Sequence, residues 1–333
     1  MKRIALLFVV LSLSFVAFSQ NQVVTLQHND TITGAYYGSN AFAEAHTAAV
    51  DGDIVTLSSG TFSSCDISKS ITIHGAGCVY DTLTGVIPTV ITGSFNLRSS
   101  NLSFEGIQFT GTITSYNANN NNNSFLKCNI QSIGASYNSG TRMNWQFVDC
   151  IIKSFNPSSI STYYHGLSIQ NSVVRFKKYY HSSESNVTTI NNSVVLFDSI
   201  VNIKNIMAFN SIIATSSGHA VSNCVFYNCI GIKTGETSLF EGQMAHNSLE
   251  VDGYDDVFET FRGTVSYEED YRLTELTATS FLGSDGKEVG IYGGVMPYRA
   301  RPSYMIIKNC NVAGQTDENK KLSVEIELLN SGE

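Results

Sequence analysis

The chain has 333 residues, 29 of them Asn, with 20 Lys and Arg against 28 Asp and Glu for a net charge of −8. Only 14% of residues are charged, against about a quarter in an ordinary soluble domain, while 42% are hydrophobic, which excludes a disordered polyelectrolyte. The negative balance argues against a general nucleic-acid binder, and no apolar run after the N-terminus reaches the roughly 20 residues of a membrane helix.

Residues 1–19 read as a signal peptide. Lys2 and Arg3 precede an apolar stretch over 4–18, and Ala17 and Ser19 stand at −3 and −1 of a cleavage site before Gln20. The expected location is therefore secreted, extracellular or at a bacterial cell surface, with no membrane span once the leader is removed. Residues 20–50 form an N-terminal strand and a short amphipathic helix over 40–50, placed to cap an open first coil.

The body, 51–295, is organised by a repeat. Small residues at Gly106, Cys128, Cys150, Ser172, Ser193, Ser211 and Cys229 are followed by apolar, mostly β-branched residues at spacings of 18 to 22. That period, without helical periodicity or a Leu-x-x-Leu-x-Leu signature, marks one coil of a stacked solenoid. Asn171, Asn192, Asn210 and Asn228 precede four of these positions and predict an amide ladder at a bend where Asn tolerates a left-handed backbone. The triplets at Ser115, Ser136 and Ser154, each with an aromatic residue and Asn, predict an aromatic stack beside another turn. Residues 236–295 form an acidic closing segment, and 296–333 form a C-terminal β tail expected to pair with the last coils and protect their edge, with an attachment or sorting element as the alternative.

Two stretches carry a resemblance: Asp51-Gly-Asp-Ile-Val-Thr-Leu-Ser-Ser-Gly-Thr-Phe62 with Ile67-Ser-Lys-Ser-Ile-Thr-Ile-His-Gly-Ala-Gly77, and Gly283-Ser-Asp-Gly-Lys-Glu-Val-Gly-Ile-Tyr-Gly-Gly294. With the coil repeat they resemble, over about residues 40–295, the pectin-lyase-like superfamily, and most closely its exported Bacteroidetes-type members of uncharacterised function. The resemblance implies an all-β, right-handed single-stranded parallel β-helix of about 8–10 coils. It implies little about activity, because that superfamily mixes lyases, hydrolases and adhesins.

The chemistry of the enzymatic relatives does not carry over. Glycosidic cleavage needs acid and base flanking one bond, yet the central coils hold only Glu105, Asp149, Glu184 and Asp198. Gly218-His219-Ala220 and Gly231-Ile232-Lys233 each lack one member of the hydrolase signatures. No catalytic residue, cofactor or metal is assigned: the seven His lack zinc spacing, and Asp252, Asp255 and Asp256 read as a solvated acidic loop. The seven Cys read as mostly unpaired core residues, with Cys65–Cys78 and Cys224–Cys229 as possible pairs. Asp30-Thr-Ile, Asp81-Thr-Leu and Asp198-Ser-Ile resemble bacterial O-glycosylation motifs.

One aromatic and cationic group suits sugar rings: Trp145, Tyr163, Tyr164, His165, Arg175, Lys177, Lys178, Tyr179, Tyr180 and His181. The expected function is an exported, non-catalytic, adhesin-like protein that binds carbohydrate. A polysaccharide lyase or glycoside hydrolase with a divergent site is the alternative, and a structural surface spacer the second.

Overall fold

The computed structural model describes residues 22–81, 85–116, 120–136, 140–156, 162–177, 187–198, 202–216, 220–234, 238–299, 306–312 and 324–329. The leader and its cleavage site lie outside them, as do Thr82, Ser199 and His219 of the short motifs.

Strand β1 (Val23–His28) pairs antiparallel with both β2 (Thr31–Tyr37) and β3 (Ile54–Leu57), so β2 and β3 run in the same direction. Between them helix α1 (Ala41–Ala48) buries Ala41, Phe42, Ala45 and His46 against the first coil, close to the expected 40–50. Its C-terminal carbonyls are held by Lys69, whose Nζ donates to His46 O at 2.7 Å, Thr47 O at 2.8 Å and Ala49 O at 2.5 Å. A cation there opposes the helix dipole and satisfies orphan acceptors.

From β3 onward the chain winds into a parallel β-solenoid of about eight turns. One wall is a twelve-stranded sheet ending at Met244–His246, here called the long sheet; the other has eleven strands and ends at Leu249–Val251. Strict alternation places one residue of each short strand inside. On the long sheet that column is Val55, Ile73, Phe104, Phe125, Phe147, Ile169, Ile190, Ala208 and Phe226, all buried. Phe104, Phe125 and Phe147 stack at 4.9 and 5.3 Å, close to the spacing between strands. Each such ring contributes about 1.5–3 kcal/mol by leaving water.

The Asn bend is present. Asn171, Asn192, Asn210 and Asn228 take φ of 46°, 45°, 49° and 52°, and Asn247 joins them at 47°. The following small residues serve the same corner. Ser172 Oγ accepts the Cys150 N–H at 2.9 Å and donates to Gln170 O at 2.7 Å; Ser211 does the same for Ser193 N–H and Phe209 O. Small polar groups recur there because each one satisfies buried backbone in the preceding coil. The start of this column differs from the expectation: Gly106 (φ 67°) stands beside Lys127 at the bend, and Ile107 takes the small-residue place.

A second left-handed corner precedes the long sheet, at Asn101, Asn122, Asn144, Asn205 and Asn223. Here the amides bond one another: Asn122 Nδ2 donates to Asn101 Oδ1 at 3.0 Å and Asn144 Nδ2 to Asn122 Oδ1 at 3.1 Å. Asn122 and Asn123 of the polar run 119–123 therefore serve the coil, with Asn123 Oδ1 also accepting the buried Leu102 N–H. Of the aromatic stack expected at the Ser triplets, Tyr137 lies outside the described residues, and the two described members do not meet. Phe155 pairs with Ile133 and Phe176 inside the coil, whereas Tyr116 lies at the surface.

Residues 251–298 do more than close the last turn. They lie along the outer face of the second sheet, where Val257, Phe258, Phe261, Tyr271, Val289 and Ile291 pack on the outward Ile151, Val173, Val194, Ile212 and Ile230. The final stretch, 282–299, is a strap that climbs the Asn corner coil by coil. Asn228 Nδ2 donates to Leu282 O at 3.3 Å, Asn210 bonds Ser284 through both amide atoms, and Asn171 donates to Met296 O. Gly294 (φ 80°) lies so close to the Asn192 amide that a Cβ there would fall within it. The tail strands Ile306–Val312 and Val324–Leu329 pair with each other and not with the last coils, contrary to expectation, and the two sheets end at Met244–His246 and Leu249–Val251. The six cysteines of the described body are free, five of them buried.

Candidate functional site

The aromatic and cationic residues singled out in the sequence occupy different walls. Trp145 is 0% exposed: its Nε1 donates to Asn120 O at 2.8 Å and its ring meets Tyr164 edge-on at 5.3 Å. Tyr164 is buried against Phe155 at 4.9 Å, and His165 is buried beside it with its pKa lowered by that burial. Trp145 and Tyr164 belong to the aromatic core, and His165, on the other face of the same strand as Tyr164, is buried as well, so these three form no exposed platform. Arg175 and Lys177 lie on the second sheet's wall and share Asp198, with Arg175 Nε at 2.8 Å from both carboxylate oxygens and Lys177 Nζ at 2.5 Å from one. Burial alone would raise the Asp198 pKa, but hydrogen bonds from Lys177 and Arg175 outweigh it and hold the carboxyl low. Tyr163 is in the strand Thr162–His165, but its side chain is outside the described set, as are Lys178, Tyr179, Tyr180 and His181.

The outward face of the long sheet carries a different row. One residue before each bend the sequence places Gln170, Asn191, Phe209, Tyr227 and His246, in register on successive strands. Phe209 and Tyr227 stack at 5.2 Å with 4° between planes, and Tyr227 and His246 at 4.8 Å with 12°. Two residues back, Met207, Val225 and Met244 form a parallel apolar column. This row was legible: it lies at a fixed offset from the Asn ladder, but no single member looks unusual by itself.

Where the row meets the strap there is a groove of about 350 Å³. Its sheet wall is four amides, Gln170, Asn171, Asn191 and Asn192, and its strap wall is Asp285, Gly294, Val295 and Met296. Asn171 is engaged by Met296 O and Asn192 lies against Gly294, so the corner amides fix the strap while Gln170 and Asn191 face the groove. Each amide offers a donor and an acceptor, the pairing that a ring hydroxyl requires.

Charge gathers at the far end of the strap. His74 Nδ1 lies 3.2 Å from Glu105 Oε2, and Lys127 and Asp149 occupy successive bend positions where the later coils have Asn. Burial pushes the Asp149 carboxyl up to about 6, against the opposing pull of Lys127 and Arg299. Burial likewise lowers the Lys127 pKa. Among the described residues no three His, Cys, Asp or Glu are grouped to hold a metal ion. No helix among them is long and apolar enough to cross a membrane.

Comparison of the chain with family models, curated proteins and solved structures gives no match in any of the three.

Proposed function

We propose that this chain is an exported, non-catalytic β-solenoid protein that binds carbohydrate at a cell surface, in the manner of an adhesin-like member of the pectin-lyase-like superfamily from a Bacteroidetes-type bacterium. The observation that carries this reading is the amide-lined groove continuing into the Phe209–Tyr227–His246 row. Amides that donate and accept suit sugar hydroxyls, and Val295, Met296 and the ring edges offer apolar surface to sugar C–H faces. The stacked rings cover one another's faces, so the amide end supplies the directional contacts. Its lining includes a single carboxylate, Asp285, which favours a neutral glycan over an acidic one.

Retention on a panel of neutral and acidic polysaccharides tests this. Gln170→Ala with Asn191→Ala is expected to weaken retention about tenfold, the equivalent of roughly 1.4 kcal/mol, with an unchanged fold. Equal retention by parent and variant would sink the assignment. The lyase or hydrolase alternative is favoured by one feature, the buried Asp149 carboxyl beside Lys127. Chain shortening on the same panel, abolished by Asp149→Asn, would replace binding with catalysis.

A further inference from the structure

The two ends of the long sheet are both strand edges, and their chemistry matches. At one end is β2, whose Tyr37 is 63% exposed; at the other is Met244–His246, whose Met244 is 58% exposed. Neither strand carries Lys, Glu, Asp or Pro, the residues that usually blunt an edge. We infer that the last strand of one molecule adds to β2 of a second copy of this chain, stacking solenoids head to tail.

Direction, face and hydrogen-bond parity all agree with this pairing. β2 runs parallel to every strand from β3 to Met244–His246, because β1 reverses the chain on both sides. In the last strand, Met244 N–H bonds to Cys224 O and His246 O accepts from Asn228 N–H, which turns the Ala245 amide and carbonyl toward the free edge. In β2, the Gly38 N–H bond to Gln22 O sets the alternation, turning Tyr36 toward β1 and leaving the backbone groups of Ala35 and Tyr37 on the free edge. Ala245 set opposite Tyr36 therefore makes a parallel ladder, donating to Ala35 O and accepting from Tyr37 N–H.

That register also continues every side-chain column. Tyr36, partly buried against the core, follows Phe226 and Ala245 inside. Ala35 follows Met207, Val225 and Met244 outside, and Tyr37 becomes the fourth ring after Phe209, Tyr227 and His246. A one-residue slip would turn Tyr37 inward and Tyr36 out, so the match is specific to this alignment. The contact joins two different surfaces of identical chains, and such a heterologous contact propagates as an open stack.

Analytical sedimentation of the purified protein over rising concentration reads the assembly. The parent is expected to grow from one chain to multiples of it. Ala245→Pro removes the edge donor in the last strand, and Tyr37→Lys puts a charge into the stack at β2. Each variant alone is expected to keep the mass of one chain, with the parent's far-ultraviolet dichroism. Their equimolar mixture is expected to give a dimer, because the first retains an intact β2 and the second an intact last strand. If the proline variant loses the parent spectrum, Met244→Lys takes its place. A parent that stays at one-chain mass throughout, folded variants that still assemble alone, or a mixture that stays monomeric would each overturn the proposal.

Discussion

The two sheets of this solenoid share a period and an apolar inward column, yet their outer faces are opposites. On the long sheet the outward residues include Thr72, Ser103, Ser124, Gln146 and Ser168, which remain part of the surface. On the second sheet they are Ile151, Val173, Val194, Ile212 and Ile230, which would expose a continuous apolar wall if residues 251–298 did not cover it. The closing segment is thus a second core layered on the first. The coil repeat builds the tube, and the closing segment determines which side of it meets solvent.

Paired truncations separate the two faces. Phe261→Ala, on the inner side of the closing segment and 0% exposed, is expected to cost about 3–5 kcal/mol. Tyr227→Ala on the open face is expected to cost under about 1 kcal/mol. Urea midpoints read both, and equal costs would erase the distinction between the faces. The strap that carries the cover along the Asn corner comes next. Asn210→Ala loses both bonds to Ser284 and forces Ala into a left-handed backbone, for about 2–3 kcal/mol. Asn210→Gly is expected to recover the backbone part only, leaving about 1 kcal/mol. If the two variants melt alike, the strap bonds and not the bend carry the effect.

A third effect concerns the end of the strap, and it depends on pH. Asp149 has a folded pKa near 6, above the ordinary carboxylate value, so the neutral acid is the form the fold prefers. Stability is full below about pH 4 and falls as pH rises through 6. Asp149→Asn, the residue the next four coils use, is expected to flatten that slope and to gain about 1–2 kcal/mol at neutral pH. Thermal midpoints across pH 4–8 check it; a variant less stable than the parent at neutral pH would mean that the attraction to Lys127 outweighs burial.

Much of the tube was readable because its ladders repeat one residue at a time. The Asn bend and the small residues after it appear in the sequence at the coil period, since each copy meets the same backbone demand. The second Asn corner, at spacings of 21 and 22 from Asn101 to Asn144, obeys the same logic but is hidden within the polar run 119–123. Three members of the aromatic and cationic group are hidden from the surface for a reason their spacing does not show. Trp145 and Tyr164 belong to the apolar core, and His165, one residue on and so on the other face of its strand, is buried as well. Phe209, Tyr227 and His246 lie on three separate coils and form a row only when those coils are placed in register.

Sequence alone determined that this chain stacks as a parallel solenoid with Asn bends and an N-terminal helical cap, because those features arise from local periodicity and backbone preference. Only the tertiary structure decided where the acidic closing segment goes, which amides are left facing a groove, and which strand edges stay open. Those are matters of what one coil or segment meets on another, and contacts between distant residues are not encoded in the spacing of any one stretch.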